Sequence, residues 1–213
     1  MMAGFFFVCA DLGLTYDFIW RSAEAWRNRC DELLADNNWR ANHNFRASTI
    51  VLLAATESCA PTLTGAQRVK DYMSAHISRT LHSVDRNRIE EDRERSIHYA
   101  LLEMWSASIV GMWLDKFGLA LAPSTTSEIR NYLNFLLPKA KIALSVDPKP
   151  GGITFTFLSD TGHAMQEIGP VIKQLWGPVW EACLLLRWTT IPCPQSLRWH
   201  NAVYKTYARV PQR

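Results

Sequence analysis

Apolar residues recur at steps of three and four along most of this chain, which predicts helices. Between Thr15 and Ala35, one stripe holds Ile19, Ala23, Trp26, Cys30 and Leu33. Asn37-Asn38 and the polar run Asn42-His43-Asn44 break it. A weakly patterned helix follows from Phe45 to Ser58. Thr64-Gly65-Ala66-Gln67 has the spacing of a capping box, and Val69, Met73, Ile77, Leu81 and Val84 supply the buried face of the next helix. From Asp85 to Arg95 charges of both signs pair at four-residue spacing: Arg86 with Glu90, Arg88 with Asp92, Glu91 with Arg95. That is a solvated helix surface. Near the C-terminal end, Met165, Ile168, Ile172, Leu175, Val179, Ala182 and Leu186 form a heptad seam that calls for a partner helix, within the chain or from a second subunit. Gly169-Pro170 and Gly177-Pro178 predict two kinks or breaks in it.

The most informative stretch runs from Ser124 to Gly162. Thr125-Thr126-Ser127-Glu128 fits a capping box. Ile129, Tyr132, Leu133 and Leu136 then make an apolar stripe, with Ser127, Glu128, Arg130, Asn131 and Asn134 on the opposite face. Such a face can read base edges in a major groove, since Arg pairs with guanine and Asn with adenine. It also suits an ordinary solvated surface. Ile142, Leu144 and Val146 alternate with Ala143 and Ser145, which predicts a strand. Asp147-Pro148-Lys149-Pro150-Gly151-Gly152 is a turn, and Ile153, Phe155 and Phe157 alternate with Thr154 and Thr156 in a second strand. A hairpin directly after a polar-faced helix reads as a wing, or as a structural β-arm between helical parts.

Here the sequence resembles a known family. Residues from about 98 to 186 resemble winged-helix regulators of the multiple-antibiotic-resistance (MarR) type. GMWLDKFGLALAPSTTSEIRNYLNFLLPKAKIAL is similar to their helix-turn-helix and first wing strand, and DPKPGGITFTFLSDTG to their wing, with Leu158, Ser159 and Gly162 at matching places. The resemblance implies a supporting helix from Gly111 to Phe117 and a recognition helix from Ser127 to Leu136. It also implies a two-fold dimer made by helices flanking the wing. The usual Asp-x-Arg of the wing is absent, and the tip carries Lys149 instead.

Charge adds one asymmetry. The 213 residues carry a net +3. After Glu181 there is no acidic residue, whereas Arg187, Arg198, Lys205, Arg209 and Arg213 are basic. Trp188, Trp199, Tyr204 and Tyr207 interleave with them. Such a tail can neutralise phosphates and stack on bases, or it can solubilise and pack. Apolar residues make up 48% of the chain, enough for a substantial core. The expected organisation is an N-terminal helical extension over 1–61, a winged-helix DNA-binding and dimerisation region over 62–188, and a basic aromatic tail over 189–213.

Candidate chemistry is sparse. Phe5 to Ala10 is apolar, but no basic residue precedes it and Asp11 ends it, so no targeting signal is expected. No stretch approaches 18 uncharged apolar residues, so no membrane span is expected. Cys9, Cys30, Cys59, Cys183 and Cys193 lack metal-ligand spacing and read as reduced cytoplasmic thiols. Glu90, Glu94 and His98 share a helical face without a partner motif, so no metal is expected there. No phosphate loop or nucleophile elbow occurs. The sequence therefore predicts a mainly α fold with one β-hairpin, a winged helix-turn-helix core plus extra N-terminal helices. It predicts no enzyme and no cofactor. The expected function is transcription regulation by a cytoplasmic homodimer, joined through the 160–188 helix and bound to double-stranded DNA. The DNA-contacting residues would be Ser127, Glu128, Arg130, Asn131, Asn134, Lys139, Lys141 and Lys149. The alternative is a helical structural or interaction protein, such as a viral coat or assembly subunit.

Overall fold

A computed structural model describes residues 2–40, 44–83, 93–145 and 168–193. Among them seven helices form: α1 (Met2–Asp11), α2 (Asp17–Ala35), α3 (Asn44–Cys59), α4 (Leu63–Ser83), α5 (Arg93–Asp115), α6 (Pro123–Ser145) and α7 (Ile168–Leu185). No strand occurs among the described residues.

The chain divides into two compact units. The first holds Met1–Ser83 and Ile109–Thr126, the second Val84–Ser108 and Ser127–Arg213. In the first unit α3 packs against α1, α2 and α4. Its Ala47, Ile50, Val51, Leu53, Ala54 and Ala55 are all buried. A helix covered on nearly every side has no polar face to alternate with, and this explains its weak sequence pattern. Phe6 and Cys9 of α1 join Ile19 and Ala23 of α2 and Ala55 of α3 in one cluster. On α4, Val69, Met73 and Ile77 are buried as their spacing predicts. On α2, Ile19, Ala23 and Cys30 are buried, whereas Trp26 is 38% exposed and Leu34 replaces Leu33 in the core.

Helix ends follow backbone accounting. After α1, Gly13 sits at φ +64°. The Gly13 amide donates to Ala10 O at 3.1 Å and the Leu14 amide to Cys9 O at 2.9 Å, a Schellman cap. Gly118 closes α5 in the same way, with Leu119 N on Leu114 O at 3.1 Å. Arg187 does so after α7 at φ 56°, with Trp188 N on Cys183 O at 2.8 Å. The end of α2 is closed from a distance. The buried guanidinium of Arg46 donates to Leu34 O at 2.9 Å, Asp36 O at 2.9 Å and Trp39 O at 3.0 Å. Arg79 adds a bond to Asn37 O at 3.0 Å.

Two caps differ from expectation. Thr62 begins α4, its Oγ1 accepting from Gly65 N at 2.9 Å, so the cap lies two residues before Thr64. Pro123 opens α6, where its missing N–H costs nothing. The Thr126 amide donates to Ala122 O at 2.9 Å, which puts Thr125 inside the first turn and buries it.

The expected β-hairpin and winged-helix core need correction. Residues 142–145, expected to begin the first wing strand, are the last residues of α6. Two apolar residues in alternation do not outweigh a helix already propagating through good helix formers such as Leu137, Lys139, Ala140 and Lys141. The helix accommodates Pro138 in its interior. The turn at 147–152 and the strand at 153–157 lie outside the described residues. Gly111 to Phe117 is not a separate supporting helix: its first five residues end the 23-residue α5.

In the second unit, Met104 and Ala107 of α5, Ile129, Tyr132, Leu133 and Leu136 of α6, and Val179, Trp180, Ala182 and Cys183 of α7 are buried. The four α6 positions are the expected apolar stripe. Of the two expected kinks or breaks in α7, the one at Gly177-Pro178 does not interrupt the helix. Pro170 falls in the first turn, where no intrahelical donor is needed, and Pro178 lies within a continuous helix. Trp180 Nε1 donates to Ile191 O at 2.8 Å and ties the following segment to α7.

Candidate functional site

The expected DNA-reading face is on α6. Burial of Ile129, Tyr132, Leu133 and Leu136 turns the other side outward, so Ser127, Arg130, Asn131 and Asn134 are exposed and Glu128 is half-buried. Arg130 Nε donates to Arg187 O at 3.2 Å, placing a cation at the C-terminal end of α7, where carbonyl dipoles favour it. Lys139 and Lys141 continue the same helix. Lys149 lies outside the described residues, as do Glu90 and most of the basic tail. Trp188, grouped with that tail by sequence, is buried and packs.

A charged cluster that sequence reasoning missed sits in the first unit, where α2, α3 and α4 meet. Glu57, almost wholly buried, pairs as an ion with Arg27, whose Nε stands 3.2 Å from its carboxylate, and accepts from Arg68 Nη2. Arg68 Nη1 reaches Asp31 Oδ2 at 2.8 Å. Arg27 Nη2 also donates to Thr56 O at 3.4 Å. The Glu57 carboxylate rests against Gly65 in the first turn of α4, where the helix dipole favours an anion. Burial pushes the Asp31 carboxyl above its usual range, opposed by the Arg68 guanidinium. Two guanidinium groups balance two carboxylates here. Each acid is engaged by an Arg, so the cluster orients three helices and presents no free nucleophile. Glu57 in the apolar run from Ile50 to Cys59 was the one sequence signal for it.

Beside the cluster, Leu63, Thr64, Gln67, Arg68, Tyr72 and Leu119 line a solvent-open cleft of about 590 Å³. Gln67 Nε2 donates to Asp71 Oδ1 at 2.9 Å on its rim. Among the described residues no set of three His, Cys, Asp or Glu side chains could hold a metal ion. Nor is any helix long and apolar enough to cross a membrane.

The other unusual surface is apolar. On α1, Met2 is 42% exposed, Phe5 46% and Val8 40%, and Leu12 just beyond is 66%. Phe5, Val8 and Leu12 follow each other at steps of three and four, so they form one stripe, and the ring of Phe5 meets the buried Phe6 edge-on at 5.4 Å. Tyr16 and Phe18 are also exposed, their rings stacked with centroids 5.9 Å apart. Comparison with protein-family models, curated proteins and solved structures finds no match to this chain.

Proposed function

We propose that this chain is a helical assembly protein that binds a second copy of itself through the outer face of α1. The exposed stripe of Phe5, Val8 and Leu12 carries this reading. Soluble chains seldom leave such side chains contiguous and uncovered without a partner. The stripe contains no charge. A two-fold contact sets a patch against itself, and an uncharged apolar patch does so without like-charge repulsion. Ten residues of helix span only about 15 Å, so the contact would extend onto neighbouring surface such as the Tyr16–Phe18 stack. Five cysteines without metal-ligand spacing favour a reducing compartment, the cytoplasm. Light scattering on the full chain tests the reading. The wild type should be a dimer or larger, and Phe5→Glu with Leu12→Glu should shift it to monomer with helix content retained. A monomeric wild type removes the proposal.

One observation favours a second reading, contact with duplex DNA. Ser127, Arg130, Asn131 and Asn134 remain exposed along one face of α6. Asn131→Ala should then weaken sequence-specific binding by about 1–3 kcal/mol in a gel shift. Absence of duplex binding by the wild type at low salt removes this reading.

A further inference from the structure

Two cysteines far apart in sequence meet between α1 and α3. Cys9 is buried in the cluster with Phe6, Ile19, Ala23 and Ala55. Cys59 packs against that cluster, one turn beyond Ala55 on α3. The Cys59 Sγ lies 3.9 Å from Phe6 O. That carbonyl belongs to the turn preceding Cys9, and helical side chains lean toward the N-terminus, so Cys9 overlies the turn that Cys59 touches. Burial pushes the Cys59 thiol up from its ordinary value, and the neighbouring Cys9 adds to the shift. Two small residues, Ala55 in the same cluster and Ala3 packed against it, put little bulk around the two thiols. A disulfide needs Cα atoms about 4.4–6.8 Å apart.

We infer that Cys9 and Cys59 are an oxidisable pair, which a small-molecule disulfide converts into a covalent staple between α1 and α3. Cys59 is half-buried whereas Cys9 is buried, so oxidant reaches Cys59 first. The Cys59 thiolate attacks one sulfur of oxidised glutathione and expels a glutathione thiolate. The Cys9 thiolate then attacks the Cys59 sulfur of the mixed disulfide and expels the second. Two protein thiols lose their protons and two electrons, and one glutathione disulfide becomes two thiols. The remaining described cysteines are placed differently: Cys30 is buried on α2, and Cys183 and Cys193 belong to the second unit. The inference does not depend on whether α1 binds a partner.

The test treats the native full chain with oxidised glutathione, then blocks free thiols and maps peptides by mass. The expected product is one linked pair, the peptide of Cys9 with that of Cys59, and a melting midpoint raised by about 5 °C. Cys9→Ser should instead stop at a glutathione adduct on Cys59. The wild-type peptide map decides the matter even if that variant folds poorly. A persistent adduct on wild-type Cys59, a linkage through other cysteines, or an unchanged midpoint after the linkage forms would overturn the inference.

Discussion

The Glu57 carboxylate lies so close to Gly65 that a Cβ there would stand 2.1 Å from Oε2. The contact makes the glycine and the ion pairs one unit. Gly65→Ala should push Glu57 away from Arg27 and Arg68 and destabilise the chain, although alanine is the better helix former. Glu57→Gln should cost about 3 kcal/mol or more, because it leaves two partly buried guanidinium groups short of their counter-charge. The double variant should cost less than the sum of the single ones, a coupling that denaturant unfolding measures.

Arg46 holds the end of α2. Arg46→Met keeps much of the volume but strands the carbonyls of Leu34 and Trp39, while Asp36 O keeps only the Trp39 amide at 3.1 Å. The expected loss is about 3 kcal/mol. Thermal melts check it, and amide exchange should quicken first in the last turn of α2.

Arg187 occupies a left-handed position that glycine holds at the ends of α1 and α5. Arg187→Gly should therefore raise stability, by about 1 kcal/mol, while Gly13→Ala should lower it by a similar amount. The Arg130 bond accepts at the Arg187 backbone carbonyl and survives the first change. Melting curves of the two variants should move in opposite directions.

Burial pushes the Cys30 thiol, which also lies beside Asp31, up to about 12, and burial does the same for Cys183. Both folded values exceed the ordinary value of 9.0. The unfolded chain therefore releases these protons first as pH rises. The contribution of these groups is whole below pH 9.0 and is lost between there and about 12. Stability should fall with pH across that window, and Cys30→Ala should make the fall shallower in denaturant titrations at pH 8, 9 and 10. Aromatic disulfide reagents at pH 8 should leave Cys30 and Cys183 unlabelled in the native chain.

Much of the helix pattern is legible in the sequence because it is local. Ile129, Tyr132, Leu133 and Leu136 on α6, and Val69, Met73 and Ile77 on α4, announce their burial by spacing alone, since the helical period puts them on one side. The exposed polar side of α6 follows from the same geometry. The extent of α6 does not. Ile142 and Leu144 alternate like a strand, and only continuation of a hydrogen-bonded helix past Pro138 decides their conformation. Thr62 and Thr64 are both plausible caps by type, and the fold chose the one whose hydroxyl meets Gly65 N.

The features that mark this protein depend on partners distant in sequence. Arg27, Asp31, Glu57 and Arg68 look like surface charges until α2, α3 and α4 bring them together. Cys9 and Cys59 look like unrelated thiols until α1 crosses α3. The stripe of Phe5, Val8 and Leu12 sits in a segment apolar on nearly every side, so periodicity could not say which side would be buried. Local periodicity determines which residues become helix and, where a stripe is clear, which face is apolar. Only tertiary packing decides which charges are desolvated, which thiols become neighbours and which apolar face stays uncovered, because burial is set by what the rest of the chain places opposite each residue.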